Sequence, residues 1–267
     1  SASNVNCRYR VTWLGSDVGP SAAPHGPDAI ALAYDFQILV EPTLKEGSNQ
    51  WSQEFAACIR HAVTYVHQQR LTPTEIYVIL VTPKLHIDTL RSIRRQPRSQ
   101  LNLIPIEVSS VVNILGTSIL AFSMRHLELR KLFNQICSCV DISSSIRKFH
   151  EYSNDAISRW QTDVLRLEKT AFIGVKSYEA MRKIGGKHIG TSEILSRLQT
   201  HPYVTQYLKI IGERIQPNHI EESLVQQSLA SQVGKTLQGE ELFCPVPSVD
   251  FTGRQEKLIK AVEGVRG

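Results

Sequence analysis

Short apolar and polar blocks alternate over the first 110 residues of this chain, and each block has the length of a strand or a helix. Residues 29–34 and 36–40 are apolar runs bounded by turn-forming residues, which predicts two strands. A tight reversal at Tyr34-Asp35 would pair them as a hairpin. Residues 8–14 alternate between polar and apolar and predict another strand, whereas the Gly, Pro, Ser and Ala of residues 15–27 predict a loop.

The pattern then changes from strand-like to mixed. Residues 50–69 predict a helix whose apolar positions recur every three or four residues, at Phe55, Cys58, Ile59, Ala62, Val63 and Val66. Residues 75–82 are almost continuously apolar, which is typical of a strand buried on both faces. A helix at 87–96 and a second buried strand at 101–108 follow. The order hairpin, helix, strand, helix, strand predicts an α/β core over residues 1–120.

Beyond residue 120 the chain predicts helices and no strands, so residues 121–267 are expected to form a mostly α-helical domain. The predicted helices cover residues 145–169, 175–184, 191–198 and 202–211, with Trp160, Leu165 and Leu167 as core candidates. The pair at 191–211 has the rhythm of a helix-turn-helix. A helical bundle without DNA contacts, with Tyr203, Tyr207 and Leu208 in its core, fits the same pattern. The tail from Gly239 is predicted to be irregular before a last helix at 254–262.

Composition places the chain among ordinary globular proteins. It has 267 residues, 42% hydrophobic and 21% charged, with a net charge of +5 and a pI of about 9.0, which is compatible with a polyanionic partner. No apolar run predicts a membrane span or a signal peptide. The five cysteines include Cys137 and Cys139, whose spacing is not that of a zinc knuckle. We therefore expect a cytoplasmic protein with reduced thiols.

The predicted hairpin carries an acidic residue at each open end. Residues whose numbers sum to about 70 lie opposite each other, which places Asp28 beside Glu41 and Thr43. Glu41 and Thr43 share a face because side chains alternate along a strand. Two neighbouring carboxylates repel each other unless a cation neutralises them, so this end predicts a divalent-metal site. The alternative is that Asp28 is a turn residue and Glu41 a surface carboxylate.

These residues resemble the signature of a known family. Pro27-Asp28, about a dozen residues and then Glu41-x-Thr43 resemble the core of PD-(D/E)XK nucleases. The closest similarity is to the AlwI-like group of type II restriction endonucleases, related to the FokI cleavage domain. It covers residues 26–115 and includes Glu41-Pro42-Thr43-Leu44, Gly47, Gln50, Glu54 and Arg60-His61. The resemblance implies a central mixed sheet flanked by helices, and Mg²⁺ bound by Asp28, Glu41 and the carbonyl of Pro42.

Four further residues are candidates for the chemistry. Thr43 stands where the signature normally carries Lys, and a hydroxyl supplies no positive charge. Lys45 has the same strand parity, so its ammonium could reach that place, although a surface lysine fits equally. Gln50 and Glu54 share one side of the predicted helix with His61 and could position water or phosphate, or could simply form a solvated face.

A basic run is the candidate DNA contact, formed by Lys84, Arg91, Arg94, Arg95 and Arg98. Such runs are also common on solvated helix faces. No hydrolase elbow, phosphate loop or dinucleotide fingerprint competes with the metal site. The sequence thus predicts a Mg²⁺-dependent DNA endonuclease of restriction type, which needs a homodimer or a second subunit to cut both strands. The alternatives are a DNA-binding or assembly subunit with an inactive core, or a nuclease acting in transposition or repair.

Overall fold

The computed structural model of the protein describes residues 10–13, 15–16, 19–22, 27–32, 36–72, 75–98, 100–121, 126–186 and 188–246. The chain divides into two units, of which the first comprises Ser1–Ile114 with Met124–Trp160 and the second Leu115–Ser123 with Gln161–Gly267. The predicted boundary at residue 120 is not where these units divide, because residues 124–160 belong to the first unit. The functional roles assigned to the two parts stay predictions.

The first unit contains a five-stranded mixed sheet. Its strands in chain order are β1 (Arg10–Trp13), β4 (Ala29–Leu32), β5 (Gln37–Pro42), β6 (Ile76–Thr82) and β7 (Asn102–Glu107), and the spatial order is β1-β4-β5-β6-β7. The pairs β1–β4 and β4–β5 are antiparallel, whereas β5–β6 and β6–β7 are parallel. All five predicted strands are present. The predicted loop instead contains a small ladder of β2 (Gly15–Ser16) and β3 (Gly19–Ala22), and the turn at Tyr34-Asp35 lies outside the described residues.

Helices follow the strands in the predicted order. A π-helical segment, Gln50–Phe55, runs directly into α1 (Ala56–Gln69), and then come α2 (Ile87–Arg95), α3 (Val108–Leu120), α4 (His126–Ile142) and α5 (Ile146–Leu167). α3 was not predicted, because its run of β-branched residues with Gly116 has no helix-forming pattern. The mixed α/β class is therefore confirmed, and it is mostly helical.

The two faces of the sheet pack against different helices. On β5, Gln37 contacts Tyr65 of α1, so odd-numbered positions face α1. On the other face Phe36, Tyr77 and Phe133 form an aromatic cluster with ring centroids 5.3 to 6.4 Å apart. Because β6 is buried along nearly its whole length, its predicted central position is confirmed.

The described residues of the second unit include four complete helices and a three-stranded sheet. The helices are α6 (Lys169–Ile184), α7 (Thr191–Gln199), α8 (Pro202–Ile211) and α9 (Pro217–Gln226). The strands are β8 (Ile189–Gly190), β9 (Ala230–Lys235) and β10 (Glu241–Pro245), in the order β8-β10-β9. The prediction that this part has no strands is wrong. β9 is exposed at every residue after Ala230, so hydrogen bonds to β10 rather than an apolar pattern define it.

Individual helix predictions in this part have mixed outcomes. α6 starts at residue 169 rather than 175 and ends at Ile184, just before Gly185, whose φ of +73° favours glycine. Trp160 and Leu165 are buried, but Leu167 is exposed and is not a core residue. The helix predicted at 254–262 lies outside the described residues. Over the described ranges, no helix combines the length and the apolar character needed to cross a bilayer.

Candidate functional site

Strand register brings Asp28 and Glu41 together at the open end of the β4–β5 hairpin. Ala29 is paired with Val40, so the next residues along the two strands are Asp28 and Glu41. Opposed residues of an antiparallel pair point to the same face, which here is the face covered by α1. Both side chains are buried, with 8% and 6% of the residue exposed. The observed pairs sum to 69, close to the predicted 70.

Burial and charge together make Glu41 hard to ionise. Its pKa is raised from 4.5 to about 8, first by burial and then by the neighbouring carboxylates of Asp28 and Glu54. Three acidic side chains therefore share one electrostatic environment. A cation placed among them would relieve their repulsion and favour the charged form of Glu41.

His61 of α1 lies within hydrogen-bond distance of Glu41. Its Nδ1 lies 3.3 and 3.4 Å from the two carboxylate oxygens of Glu41, and its side chain is 14% exposed. The sequence placed His61 on the polar side of the helix but left it out of the predicted catalytic set. The missing information was the packing of α1 on the odd-numbered face of β5, which decides that this side faces the carboxylates.

Cys58 of α1 lies beneath the same carboxylates. Its residue is 1% exposed, and its thiol pKa is raised well above 9.0 by burial and by the charges of Glu41, Asp28 and Glu54. From the sequence, Cys58 is predicted only to be part of the apolar stripe of the helix. The thiol therefore stays protonated and is a buried neighbour of the carboxylates.

Thr43 and Lys45 both form contacts within the protein. Thr43 is buried, its backbone N–H donates to the carbonyl of Val81 at 2.8 Å, and its hydroxyl accepts from the backbone N–H of Lys45 at 3.1 Å. The Lys45 ammonium donates to Gln53 at 2.6 Å and lies 3.4 Å from Glu54. The Thr43 hydroxyl thus fixes the turn after β5, and the nearby ammonium is held at the start of the helix.

Gln50 connects the end of β6 to the start of α2. It is fully buried, and its amide nitrogen donates to the Thr82 hydroxyl at 2.6 Å and to the carbonyl of Lys84 at 2.9 Å. Its amide oxygen accepts from the backbone N–H of His86, at the start of α2, at 2.9 Å. Because both ends of the amide bind the protein itself, Gln50 fixes the β6–α2 loop in this structure. Its predicted catalytic role stays untested.

The basic run of α2 is partly bound within the protein. Arg91 forms a 3.1 Å ion pair with Asp88, and Arg94 donates to the carbonyl of Val140 at 3.3 Å. Arg98 pairs with Asp141 of α4. Arg95 and Lys84 are exposed. Three of these cations therefore have structural partners, and their contact with DNA stays a prediction.

The match to known proteins covers this same part of the chain. Residues 8–115 match the model of the AlwI restriction endonuclease family, which confirms the resemblance to that family predicted from residues 26–115. This segment is thus similar to a type II restriction endonuclease, and it contains the hairpin, α1 and the β6–α2–β7 unit. The comparison with curated proteins gave no significant match.

Among solved structures, the small subunit (R.BspD6I2) of the heterodimeric restriction endonuclease R.BspD6I is similar to the chain. The sequence identity is 19%, the TM-score is 0.42, and the match covers 58% of this chain and 78% of that chain. A similarity of this size says nothing further about the activity of the chain.

Proposed function

We propose that this protein is a Mg²⁺-dependent DNA endonuclease of the type II restriction class, and that Asp28 and Glu41 hold the metal ion. The observation that carries the proposal is the pair of buried carboxylates at the open end of the hairpin, inside the segment similar to the AlwI family. Burial and the neighbouring carboxylates raise the pKa of Glu41, and groups perturbed in this way are concentrated at functional sites.

The donor set fits magnesium. Mg²⁺ is usually bound by one or two carboxylates together with substrate phosphates and water, which matches what Asp28 and Glu41 offer. The carbonyl of Pro42 is a third candidate ligand. Within the described ranges no cluster of three or more His, Cys, Asp or Glu side chains is arranged to hold a metal ion by itself. This supports an ion that is completed by substrate and solvent rather than a closed structural site.

A bound Mg²⁺ would activate water and neutralise the charge that develops on the phosphate. The residues of the chain have separate roles around it. The Nδ1 of His61 lies 3.3 Å from Glu41 and would orient its carboxylate, in the way that hydrogen-bond partners orient metal ligands. Glu54 holds the Lys45 ammonium at the rim of the site, and Gln50 keeps the β6–α2 loop in place. Hydrolysis at such a centre would leave a 5′-phosphate, as implied by the family resemblance.

Thr43 favours a second candidate, a DNA-binding or assembly subunit whose nuclease-like core is inactive. In the usual motif a lysine at this position supplies positive charge to the attacking water. The Thr43 hydroxyl is engaged with the backbone of Lys45, whose ammonium is bound to Gln53 and Glu54. For the active nuclease, one core of this kind cuts one strand, so cleavage of a duplex requires a homodimer or a second subunit.

Cleavage of mixed-sequence duplex DNA separates the two candidates. The full chain is incubated with Mg²⁺, with Mn²⁺ and with EDTA, beside Asp28→Ala, Glu41→Ala and the control Glu46→Gln, which alters an exposed carboxylate close in sequence. We expect metal-dependent cutting by the wild type and the control only. Salt-sensitive DNA binding without cutting under any metal would overturn the nuclease and support the inactive subunit.

A further inference from the structure

In the second unit, α9 is followed closely by an exposed β-hairpin. α9 is connected to β9 by Gln227–Leu229, and the backbone N–H of Leu229 donates to the carbonyl of Leu224 at 3.0 Å. β9 and β10 pair in antiparallel fashion, and β10 also pairs with β8, which precedes α7. This order of elements is that of a winged helix, with α8 as an additional helix.

α9 presents one polar face to solvent. Its buried residues are Ile220, Ser223 and Leu224, and α6 approaches this side closely at Gly174, where an added Cβ would lie 3.1 Å from the carbonyl of Ser223. The opposite face carries Asn218, Glu222 and Gln226, which are exposed and spaced four residues apart. They form a single row along the helix.

We propose that α9 and the β9–β10 hairpin form the surface that reads duplex DNA, in place of α8, the second helix of the predicted helix-turn-helix. This inference rests on the proposed function, in which the substrate is DNA. The major groove of B-DNA admits an α-helix. An adjacent ribbon of two strands can contact the backbone or the neighbouring groove.

The side chains of the surface have the chemistry for this partner. Asn and Gln amides pair with adenine through two hydrogen bonds, and a Glu carboxylate accepts from the amino group of cytosine. Arg214, just before α9, is exposed, and Lys235 of the hairpin has a side chain that is 61% exposed. Leu237 at the hairpin tip is completely exposed, at 103%, as expected of an apolar group that contacts bases or sugars in a groove.

Several acidic groups nearby are already bound within the unit. Glu241 pairs with Lys235 at 2.6 Å and accepts from Gln232, and Glu240 accepts from the backbone N–H of Ser192 at the start of α7. Glu221 accepts from the Thr191 hydroxyl at 3.2 Å. These contacts give partners to carboxylates that would otherwise repel the phosphates of DNA. Glu222 lies on the exposed row of α9.

α8 is less suited to the role because its larger side chains serve the core. Val204, Tyr207 and Ile211 are buried, and the Tyr207 ring stacks on Phe172 with centroids 3.9 Å apart. The Tyr207 hydroxyl donates to the carbonyl of Leu165. The exposed positions Gln206 and Lys209 are therefore a matched control surface.

To test this inference, the full chain is used to select the sequences that it binds from a random library of duplex DNA. EDTA is present, so that metal-dependent cleavage plays no part. We expect the wild type to enrich a defined sequence. Asn218→Ala with Gln226→Ala should lower its affinity for that sequence about a hundredfold, at about tenfold for each of the two lost bidentate contacts. Gln206→Ala with Lys209→Ala should leave the selected sequence unchanged. Should the double α9 variant not fold, as seen by circular dichroism, each single variant is measured instead.

Three results would overturn the inference. They are the absence of any selected sequence, loss of selection in the α8 variant but not in the α9 variant, and a change of oligomeric state in the α9 variant with selection intact. The last would make α9 a contact between copies of the chain. Sequence selection by a wild type that cuts nothing in Mg²⁺ would support the reading surface and overturn the nuclease, so the two failures are distinguishable.

Discussion

Replacement of Glu41 by glutamine should make the metal-free protein less sensitive to alkaline pH. Glu41 has a folded pKa of about 8 against 4.5 when unfolded, so between these values the folded protein keeps a proton that the unfolded chain releases. Stability from this group is fully present below pH 4.5 and is lost as the pH rises towards 8. Glutamine has the same shape and no proton to release, and the loss should disappear.

The size of the effect follows from the shift. Each pKa unit corresponds to about 1.4 kcal/mol, so linkage through Glu41 lowers the free energy of unfolding by about 3 kcal/mol between pH 5 and pH 8. Other groups titrate over this range in both proteins. The difference between wild type and variant therefore isolates Glu41.

Urea unfolding in EDTA at several pH values between 5 and 8 measures this difference. The three tryptophans, Trp13, Trp51 and Trp160, all belong to the first unit, so their fluorescence reports on the part that contains the site. Glu46→Gln is the control for loss of a carboxylate from the surface. Equal pH dependence in wild type and Glu41→Gln would refute the reasoning. Mg²⁺ at a hundred times its dissociation constant should restore about 2.7 kcal/mol to the wild type at pH 8, and little to the variant.

Three further contacts can be tested by substitution, those of His61 and Gln50 near the site and that between α6 and α9. His61→Leu should raise the Mg²⁺ concentration for half-maximal cleavage about tenfold, whereas His61→Asn keeps a donor near Nδ1 and should shift it less; equal shifts would argue against an orienting role. Gln50→Leu leaves the backbone N–H of His86 without its acceptor and should cost about 3 kcal/mol in urea unfolding; a loss below about 1 kcal/mol would contradict the linking role of the amide. Gly174→Ala should lower stability by about 1 kcal/mol, because the added Cβ meets a backbone carbonyl. Gly116→Ala has open space around it and should raise stability by about the same amount. A change of the same sign in both variants would show that α6 and α9 can adjust.

The sequence predicted those parts of the fold in which one local pattern decides the outcome. Continuous apolar runs identified β6 and β7, and the turn-formers around the hairpin placed Asp28 opposite Glu41. β9 could not be found in this way because only its hydrogen bonds to β10 define it. The polar side chains of α1 were assigned with regular helical spacing, but the π-helical start rotates Gln50 relative to the rest of the helix.

Local patterns are equally insufficient to predict the surroundings of the candidate site. Which side chains approach Glu41 depends on how α1 lies on the sheet, and this is a long-range property. The sequence therefore could not show that His61 and Cys58 lie close to Glu41, and only the structure does. Val63, predicted to be in the core, is 49% exposed for a related reason, since the buried stripe of α1 is narrower than its apolar pattern.

Cys58 gives the protein a built-in chemical reporter. Thiol reagents attack the thiolate, and at Cys58 both contact with solvent and ionisation are suppressed while α1 covers the sheet. Alkylation of this residue therefore requires α1 to separate from the strands, and its rate measures how often that happens. Cys244, which is partly exposed, supplies an internal reference in the same sample. Mass spectrometry of the two modified peptides would thus follow opening of the site over time, without any added label or engineered residue.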